Sequence, residues 1–565
     1  MPRKIVIIGG VAGGATAAAR LRRLDEEAEI VIVERGEHIS FANCGLPYHV
    51  GGVIAKREQL LLLTPRLMNR RFNVDVRVQS EAVRIDRAAH HVEIKNLATG
   101  EVYLESYDHL ILATGARPVK PPIPGVDLPS VLTLRSIPDM DAIIAAADAR
   151  EKGHAVVVGG GFIGLETAEN LMKRGLQVTL VEMADQVMTP IDRELAAIVQ
   201  NHIRSHGVNL FLQEKVTAFG QEGERTRVIL GSGRSLTADL VIMATGVRPE
   251  SELAQAAGLE IGPRRGVVVN DQLLTSDPDI SAVGDVAEPP AFGAEGTTWV
   301  PLAGPANRQA RLVADRLAGR PIRYTGIQGS SIAKVFDLTV AATGKNSAAL
   351  VREGREFRAI VTGNKQHAGY YPGAEFMALK LLFSPADGKV LGAQAVGPHG
   401  VDKRMDVLAT AIRFGATIDQ LADLELCYAP PFGAAKDPVN MLGYAAGNAL
   451  RGDTPTVTWE AVMDFDPEQV TLLDVREYDE RAADRIEGSV HIPLNLVRQK
   501  AERQLPREKP VIVYCGVGQR GHTVVRFLRQ KGYDARNLMG GIMIYAAMRD
   551  DLKAIAAQAS EPAKA

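Results

Sequence analysis

Cys44, Cys427 and Cys515 are the three cysteines of a 565-residue chain. They are too few and too far apart for a disulfide framework or for zinc-ligand spacing. Each is read as a single thiol, and no metal is expected. A single thiol can still cycle if its disulfide partner is external, forming a mixed disulfide with a small thiol or a sulfenic acid with peroxide or oxygen. Cys44 lies in SFANCGLPY between Asn43 and Gly45, where a helix start would favour the thiolate. Cys515 ends the strand PVIVYC and opens the loop Cys515-Gly516-Val517-Gly518-Gln519-Arg520-Gly521 ahead of a helix from about His522. Successive backbone N–H groups, the helix N-terminus and Arg520 can be aimed at that sulfur, stabilising a thiolate or persulfide.

Two glycine-rich turns supply a second kind of chemistry. In Gly159-Gly160-Gly161-Phe162-Ile163-Gly164 the pattern G-x-G-x-x-G is complete, between a buried strand and a helix, and Glu182 ends the next strand. Gly159, Gly161 and Gly164 allow a pyrophosphate to approach the helix N-terminus while Glu182 accepts from a ribose diol. Glu182 would repel a 2′-phosphate, and Met183-Ala184-Asp185 offers no arginine to receive one, so NADH is favoured over NADPH. The first turn, Gly9-Gly10-Val11-Ala12-Gly13-Gly14, is degenerate because Val11 replaces the middle glycine. Glu34 ends its following strand, and Gly284-Asp285 returns to the same fold, where Asp285 can bond the ribityl or pyrophosphate region of a flavin. Tandem sites of this kind suit FAD in the first and NADH in the second.

The elements that must position these groups follow from periodicity. Residues 4–34 and 154–182 each read as one strand–turn–helix–strand unit. The echoes LILATGARP and LVIMATGVRP, with Thr114 and Gly115 in the first, close the two dinucleotide domains. The expected organisation is FAD-binding 1–118 and 245–325, NADH-binding 119–244, a separate α+β domain at 326–450, a linker at 451–459 and a small α/β domain at 460–560. Composition agrees with several ordinary cores: 46% of residues are hydrophobic and 23% charged. A formal net charge of −2 gives no electrostatic case for nucleic acid or an anionic membrane as the main partner. With no apolar run approaching a membrane span, a cytoplasmic protein is expected.

Over about residues 3–450 the chain resembles the two-dinucleotide flavoprotein disulfide reductases. SFANCGLPY, GYYPGA at 369–374 and CYAPPFGAAKDPVN at 427–440 narrow this to the coenzyme A disulfide reductase family. From about 460 onward LLDVRE, EGSVHIPL and YCGVGQRG resemble a single rhodanese domain, a fusion of the NADH-dependent persulfide reductase type. The resemblance implies a homodimer joined through 326–450, FAD, NADH and coenzyme A as cofactors or substrate, and a mixed disulfide between Cys44 and coenzyme A. It implies that Tyr370 and Tyr428 come from the second subunit to assist the leaving thiolate; without it both read as core or interface aromatics. It places coenzyme A contacts at Thr16, Arg20, Arg23, Ser40, Asn43 and Arg71, and adds Arg35 beside Glu34 to the flavin site. Arg20 and Arg23, three apart on one helix, can meet one polyphosphate anion. Asp474 and Arg476 are read as scaffold for the Cys515 loop, His491 as a turn residue, and Cys427 as a buried interface thiol.

The expected activity is NADH- and FAD-dependent reduction of coenzyme A persulfide, polysulfide and coenzyme A disulfide. Two alternatives stand beside it. One is an NADH oxidase cycling Cys44 through sulfenic acid, although related oxidases and peroxidases carry a histidine where this chain has Val11-Ala12. The other is a redox sensor or sulfur carrier that does not turn over.

Overall fold

The computed structural model of the chain describes residues 2–150 and 152–560. It divides into two compact units, Met1–Val178 with Val216–Leu230 and Ser235–Gln328, and Thr179–Lys215 with Gly231–Arg234 and Gly329–Ala565. Both are mixed α/β, and among the described residues no helix is long and apolar enough to cross a membrane.

The first unit is organised by a parallel sheet in the order Ile280–Ala282, His109–Leu112, Lys4–Ile8, Glu29–Val33, Asp75–Arg77. Ile5, Val6 and Ile7 are almost wholly buried, as expected of a central parallel strand covered on both faces. Because Lys4–Ile8 has Glu29–Val33 on one side and His109–Leu112 on the other, the strand order reverses at its C-terminal end. A crevice opens there, and the first glycine turn sits in it. Gly9 has φ +100°, and a Cβ on it would stand 2.2 Å from the carbonyl oxygen of Ala113. The turn is therefore closed to other residues by both conformation and space. Beyond it, helix Ala12–Arg22 packs against helix Ala303–Leu317.

The two Thr-Gly-x-Arg-Pro echoes meet each other. Ala116–Pro118 and Val247–Pro249 pair as an antiparallel ribbon, with Arg117 opposite Arg248. The Thr114 hydroxyl donates to the carbonyl of Glu250 and the Thr245 hydroxyl to that of Val119, both at 2.7 Å. In the second dinucleotide segment, His154–Val158 pairs in parallel with Leu240–Met243, which also carries Val131–Leu132. Gln177–Val181 pairs in parallel with Asn209–Phe211.

The second unit contains an antiparallel sheet, Ser331–Val335, Leu338–Gly344, Val390–Gly397, Phe376–Phe383, Arg358–Lys365, with helices Val401–Arg413 and Pro438–Leu450. It also contains a parallel sheet in the order Thr456–Val457, Ala535–Leu538, Val511–Tyr514, Thr471–Asp474, Val490–His491. The stretch read as a linker at 451–459 thus contributes an edge strand, which two residues between polar turns do not advertise by alternation. The helix after Cys515 is Gln519–Gln530 and starts before His522.

Buried charges tie the pieces of this unit together. Asp551, with no exposed side-chain surface, accepts from Arg193 at 2.6 Å and Arg204 at 2.7 Å, docking the C-terminal helix Gly541–Ser560 on helix Arg193–Ser205. Lys380, on the antiparallel sheet, lies 2.7 Å from Asp192 and 2.5 Å from Glu194. Replacing only the lysine leaves two buried carboxylates without their cation, so Lys380→Met is expected to cost about 3–5 kcal/mol. The check is the thermal unfolding midpoint of the flavin-loaded protein; a midpoint equal to the parent's would contradict the assignment.

Candidate active sites around Cys44 and Cys515

Cys44 lies on a single 3-10 turn, Asn43–Gly45, that runs into the short helix Leu46–Val50. The turn is fixed against the first glycine loop. Ser40, half-buried with φ +46°, donates its N–H to the carbonyl of Gly10 at 2.9 Å, and Ala42 donates to Leu60 at 2.8 Å. Asn43 Oδ1 accepts the Cys44 N–H at 3.1 Å and faces its Sγ at 3.8 Å. Cys44 is exposed in the single chain.

The helix start does not lower the thiol. Crowding by surrounding protein atoms, followed by the charges of Glu166 and Asp285, pushes the Cys44 thiol up from its ordinary value. A one-turn element followed by a five-residue helix has little macrodipole to set against desolvation and two carboxylates. Asp285 is itself pushed up to about 6 by burial. Glu166 is raised by burial and accepts the Tyr48 hydroxyl at 3.0 Å. Sequence reasoning missed Tyr48, which ends SFANCGLPY, and Glu166, which lies two residues past Gly164.

The residues around the first glycine turn fit a dinucleotide. Helix Ala12–Arg22 begins at Val11 with no side-chain cap, so its first N–H groups face the crevice. Glu34 accepts the Gly10 N–H at 2.8 Å and the Gly36 N–H at 2.7 Å. Each of its oxygens retains a lone pair for a ribose hydroxyl. Gly13 and Gly14 pack inside the turn: a Cβ on Gly13 would stand 3.1 Å from Val283 Cγ2, and one on Gly14 would meet the Gly9 carbonyl. Gly284, at φ +76°, presents Asp285 and spends its own N–H on Gln309.

Arg35 is engaged elsewhere. It lies 3.1 Å from Glu250, a carboxylate that also takes Arg135 at 2.7 Å. Thr114 and Gly115 likewise bond the Glu250 backbone, Gly115 accepting its N–H at 2.9 Å. Glu250 follows the GVRP echo by one residue and was not anticipated.

The second turn repeats the geometry. Gly159 has φ +111°, and helix Phe162–Lys173 starts at Gly161 without a side-chain cap. A Cβ on Gly161 would meet nothing within 4 Å, the open cradle a pyrophosphate needs, whereas one on Gly164 would strike the Gly159 carbonyl. Glu182 accepts the Ala184 N–H at 2.7 Å.

The anticipated coenzyme A residues divide. Arg20 donates twice to Asp315, at 3.1 and 2.6 Å, whereas Arg23 makes no such pair among the described residues. Asp315 lies 295 residues away in sequence. Arg311 and Arg320 approach the same carboxylate, leaving a net positive patch. Arg23 is exposed, with its guanidinium 5.7 Å from the Phe72 ring, and Arg71 is exposed on helix Pro65–Phe72. The Thr16 hydroxyl donates to Asn307 at 2.6 Å.

In the second unit, Tyr370 and Tyr428 are both exposed and their hydroxyls lie 2.9 Å apart. That corrects the core reading of these aromatics. Cys427 is exposed in the single chain, so the burial expected of it is not provided by its own fold.

Cys515 is buried, and its Sγ accepts the Gly518 N–H at 3.2 Å. Gly518, at φ +93°, starts helix Gln519–Gln530 without a side-chain cap. Arg520 is held by Glu480 through two bonds of 2.6 Å, and Glu480 is drawn down to about 2, chiefly by that arginine. Asp474, fully buried, takes Arg476 at 3.0 Å and the Tyr514 hydroxyl at 2.8 Å. The Arg476 carbonyl lies 2.8 Å from His491 Nε2, as scaffold and turn residues would. Glu480 is the residue missed here.

A strand-order reversal at one glycine turn, a second such turn ending in an acidic residue, and a thiol between them in sequence define a pyridine-nucleotide-dependent flavoprotein oxidoreductase. The pyridine nucleotide-disulphide oxidoreductase model matches residues 3–310, its dimerisation domain 330–438, and a rhodanese-like domain 458–547. The chain belongs to the pyridine nucleotide-disulphide oxidoreductase family, alongside the coenzyme A disulfide reductases. It is 36% identical over 445 residues to the coenzyme A disulfide reductase of Staphylococcus haemolyticus, covering 79% of this chain and 99% of that one. The reduced Bacillus anthracis CoADR-RHD superposes with a TM-score of 0.94 at 48% identity, covering 98% and 99% of the two chains. A NAD-dependent persulfide reductase from A. fulgidus gives 0.92 at 36% identity, covering 96% and 100%.

Glu166→Gln removes a negative charge that acts on Cys44 and is expected to lower that thiol's apparent pKa. The measurement is the pH dependence of Cys44 alkylation in the reduced, flavin-loaded protein, followed by peptide mass spectrometry. An unshifted profile would remove Glu166 from the thiol's electrostatics.

Proposed function

We propose that this chain reduces sulfur–sulfur bonds of coenzyme A conjugates with NADH, acting on coenzyme A disulfide, coenzyme A persulfide and polysulfide. One observation carries the reading: a solitary exposed thiol, held beside Glu166 and Asp285, shares its chain with a buried thiol cradled by a backbone N–H. A chain with no second cysteine near Cys44 in sequence must take its disulfide partner from the substrate. The relatives named for coenzyme A disulfide and persulfide reduction support that substrate class.

In this reading the Cys44 thiolate attacks one sulfur of RS–SR′, making a Cys44–SR bond and breaking the S–S bond. The departing R′S⁻ takes a proton from the pair formed by the partner subunit's Tyr370 and Tyr428, each tyrosine's exposure and mutual hydrogen bond suiting it to the task. FAD, when bound, supplies the relay that carries two electrons from NADH to the sulfur. Gly9, Gly10, Gly13, Gly14, Glu34, Thr114, Gly115, Gly284 and Asp285 are suited to hold FAD, and Gly159, Gly161, Gly164 and Glu182 to hold NADH. Overall, RSSR, NADH and one proton give two RSH and NAD⁺; a persulfide RSSH gives RSH and hydrogen sulfide instead. Arg23 and Arg71, with the patch around Arg20, are placed to receive phosphates, and Ser40 and Asn43 to line the approach to Cys44. Cys515 carries sulfane sulfur, the Gly518 N–H and Arg520 stabilising its charge.

Steady-state NADH oxidation against coenzyme A disulfide, coenzyme A persulfide, polysulfide and oxygen tests this. Cys44→Ser is expected to lose at least a thousandfold in turnover with every sulfur acceptor while NADH still bleaches the flavin. Cys515→Ser is expected to keep coenzyme A disulfide reduction and to lose sulfur transfer from thiosulfate. Full turnover by Cys44→Ser refutes the mechanism, and turnover supported by oxygen alone would reassign the chain as an oxidase. Glu182→Ala removes the charge that opposes a 2′-phosphate, so its kcat/KM for NADPH relative to NADH should rise about tenfold or more; an unchanged ratio would place the discrimination elsewhere.

A further inference from the structure

Outside both thiol sites, three metal-ligating side chains of the second unit converge. His202 stands in the last turn of helix Arg193–Ser205 and His206 caps its end, one turn apart on the same face. The hairpin joining Ser331–Val335 to Leu338–Gly344 turns through Phe336, at φ +55°, and so presents Asp337. Asp337 Oδ1 lies 2.5 Å from Nε2 of His202 and 3.4 Å from Nε2 of His206. The three ligand atoms all lie within 4.8 Å of one another.

The second observation concerns how one ligand is held. His206 Nδ1 is 2.9 Å from the carbonyl of His202, so Nδ1 carries a proton and donates it. Nε2 is then the nitrogen that faces the carboxylate oxygen, and a proton or a cation must lie between the two. The Phe336 ring stacks on His206 with centroids 4.3 Å apart and planes 14° from parallel, fixing the ring's orientation. A ligating imidazole with its other nitrogen bonded to a backbone carbonyl is the usual support of a metal-bound histidine.

We propose that His202, His206 and Asp337 form a divalent transition-metal site, with Zn²⁺ as the best-fitting ion and water completing its coordination. Two imidazoles and one carboxylate suit zinc better than magnesium or calcium, which take oxygen donors. Bonds of about 2.0–2.1 Å at tetrahedral angles put neighbouring ligand atoms roughly 3.3 Å apart. The His206–Asp337 spacing already matches, and the His202–Asp337 pair must open slightly. Asp337 is 75% exposed and His202 and His206 are 19% and 34% exposed, so an ion enters from solvent without unfolding anything. The bound ion would cross-link a helix of the second dinucleotide segment to a hairpin of the antiparallel sheet. No spacing rule reveals this in sequence, because the third ligand follows His206 only after 131 residues.

The experiment uses the full-length, flavin-loaded protein, stripped with a chelator and with its thiols alkylated so that they cannot bind zinc. Zn²⁺ is titrated by calorimetry, and zinc retained after dialysis is counted by elemental analysis. The parent is expected to hold one zinc per chain and to gain in thermal midpoint when zinc is added. Asp337→Asn and His206→Gln are expected to lose that equivalent, or to bind at least tenfold more weakly, and to show no zinc-dependent gain. Asp337→Asn should match the metal-free parent in flavin content and midpoint, since Asp337 is exposed, and His206→Gln should match it in flavin content. Zinc bound equally by parent and both variants, or not bound by the parent, overturns the proposal and leaves the cluster as histidine–carboxylate ion pairs.

Discussion

Ionising Cys44 is opposed by its surroundings, and much of the first unit follows from that. Desolvation and the fields of Glu166 and Asp285 act in the same direction on this sulfur, and the helix that follows is too short to answer them. A thiol so placed is poorly nucleophilic in the bare chain. It becomes useful when something adjacent lowers the anion's free energy, and the Ser40–Gly10 hydrogen bond sets the Cys44 loop directly on the glycine turn that would hold the flavin. Asp285, pushed up to about 6 by burial, titrates closer to neutrality than an ordinary aspartate, so the neighbouring charge can shift its protonation.

Cys515 is handled in the opposite way. Its sulfur is buried, yet a backbone N–H points at it, and the nearby guanidinium is neutralised and oriented by Glu480 rather than left to solvent. Behind the loop, Asp474, Arg476, Tyr514 and Arg481 satisfy one another in the interior, so the loop's shape is set before any sulfur arrives. One thiol is accessible and electrostatically discouraged; the other is enclosed and electrostatically accommodated. That contrast is the basis for the roles proposed for the two thiols.

How much of this was legible in sequence depended on the range of the interaction. The glycine turns were readable because Gly9 and Gly159 adopt a backbone conformation that side chains resist and sit where a Cβ would strike a carbonyl. Glu34 and Glu182 were readable because strand length fixes where a strand ends. The ion pairs of Arg20 and Arg35 were not readable because their partners, Asp315 and Glu250, lie 295 and 215 residues away, and local geometry says nothing about such distant groups. Tyr48 and Glu166 went unnoticed because they meet across 118 residues, and Glu480 because its partner Arg520 lies 40 residues away. The edge strand Thr456–Val457 was invisible for a related reason: a two-residue strand has no period, and only pairing with Ala535–Leu538 defines it.

The second unit shows how a fused domain is kept in one register. Asp551 is buried between Arg193 and Arg204, an arrangement that adds little net stability over an apolar substitute but penalises any docking that separates the charges. The Cys515 loop adds a steric condition. Val517 occupies the space a side chain on Gly363 would need, its Cγ1 2.6 Å from that Cβ position, and the Gly540 N–H donates to the Val361 carbonyl of the same strand. A glycine in the middle of strand Arg358–Lys365 weakens that strand on its own account. It is tolerable here because it lets the sulfur-bearing loop lie directly on the sheet. The charged clamp and the missing side chain act at separate contacts and specify the same placement, so the loop carrying Cys515 is held against the antiparallel sheet rather than tethered beside it.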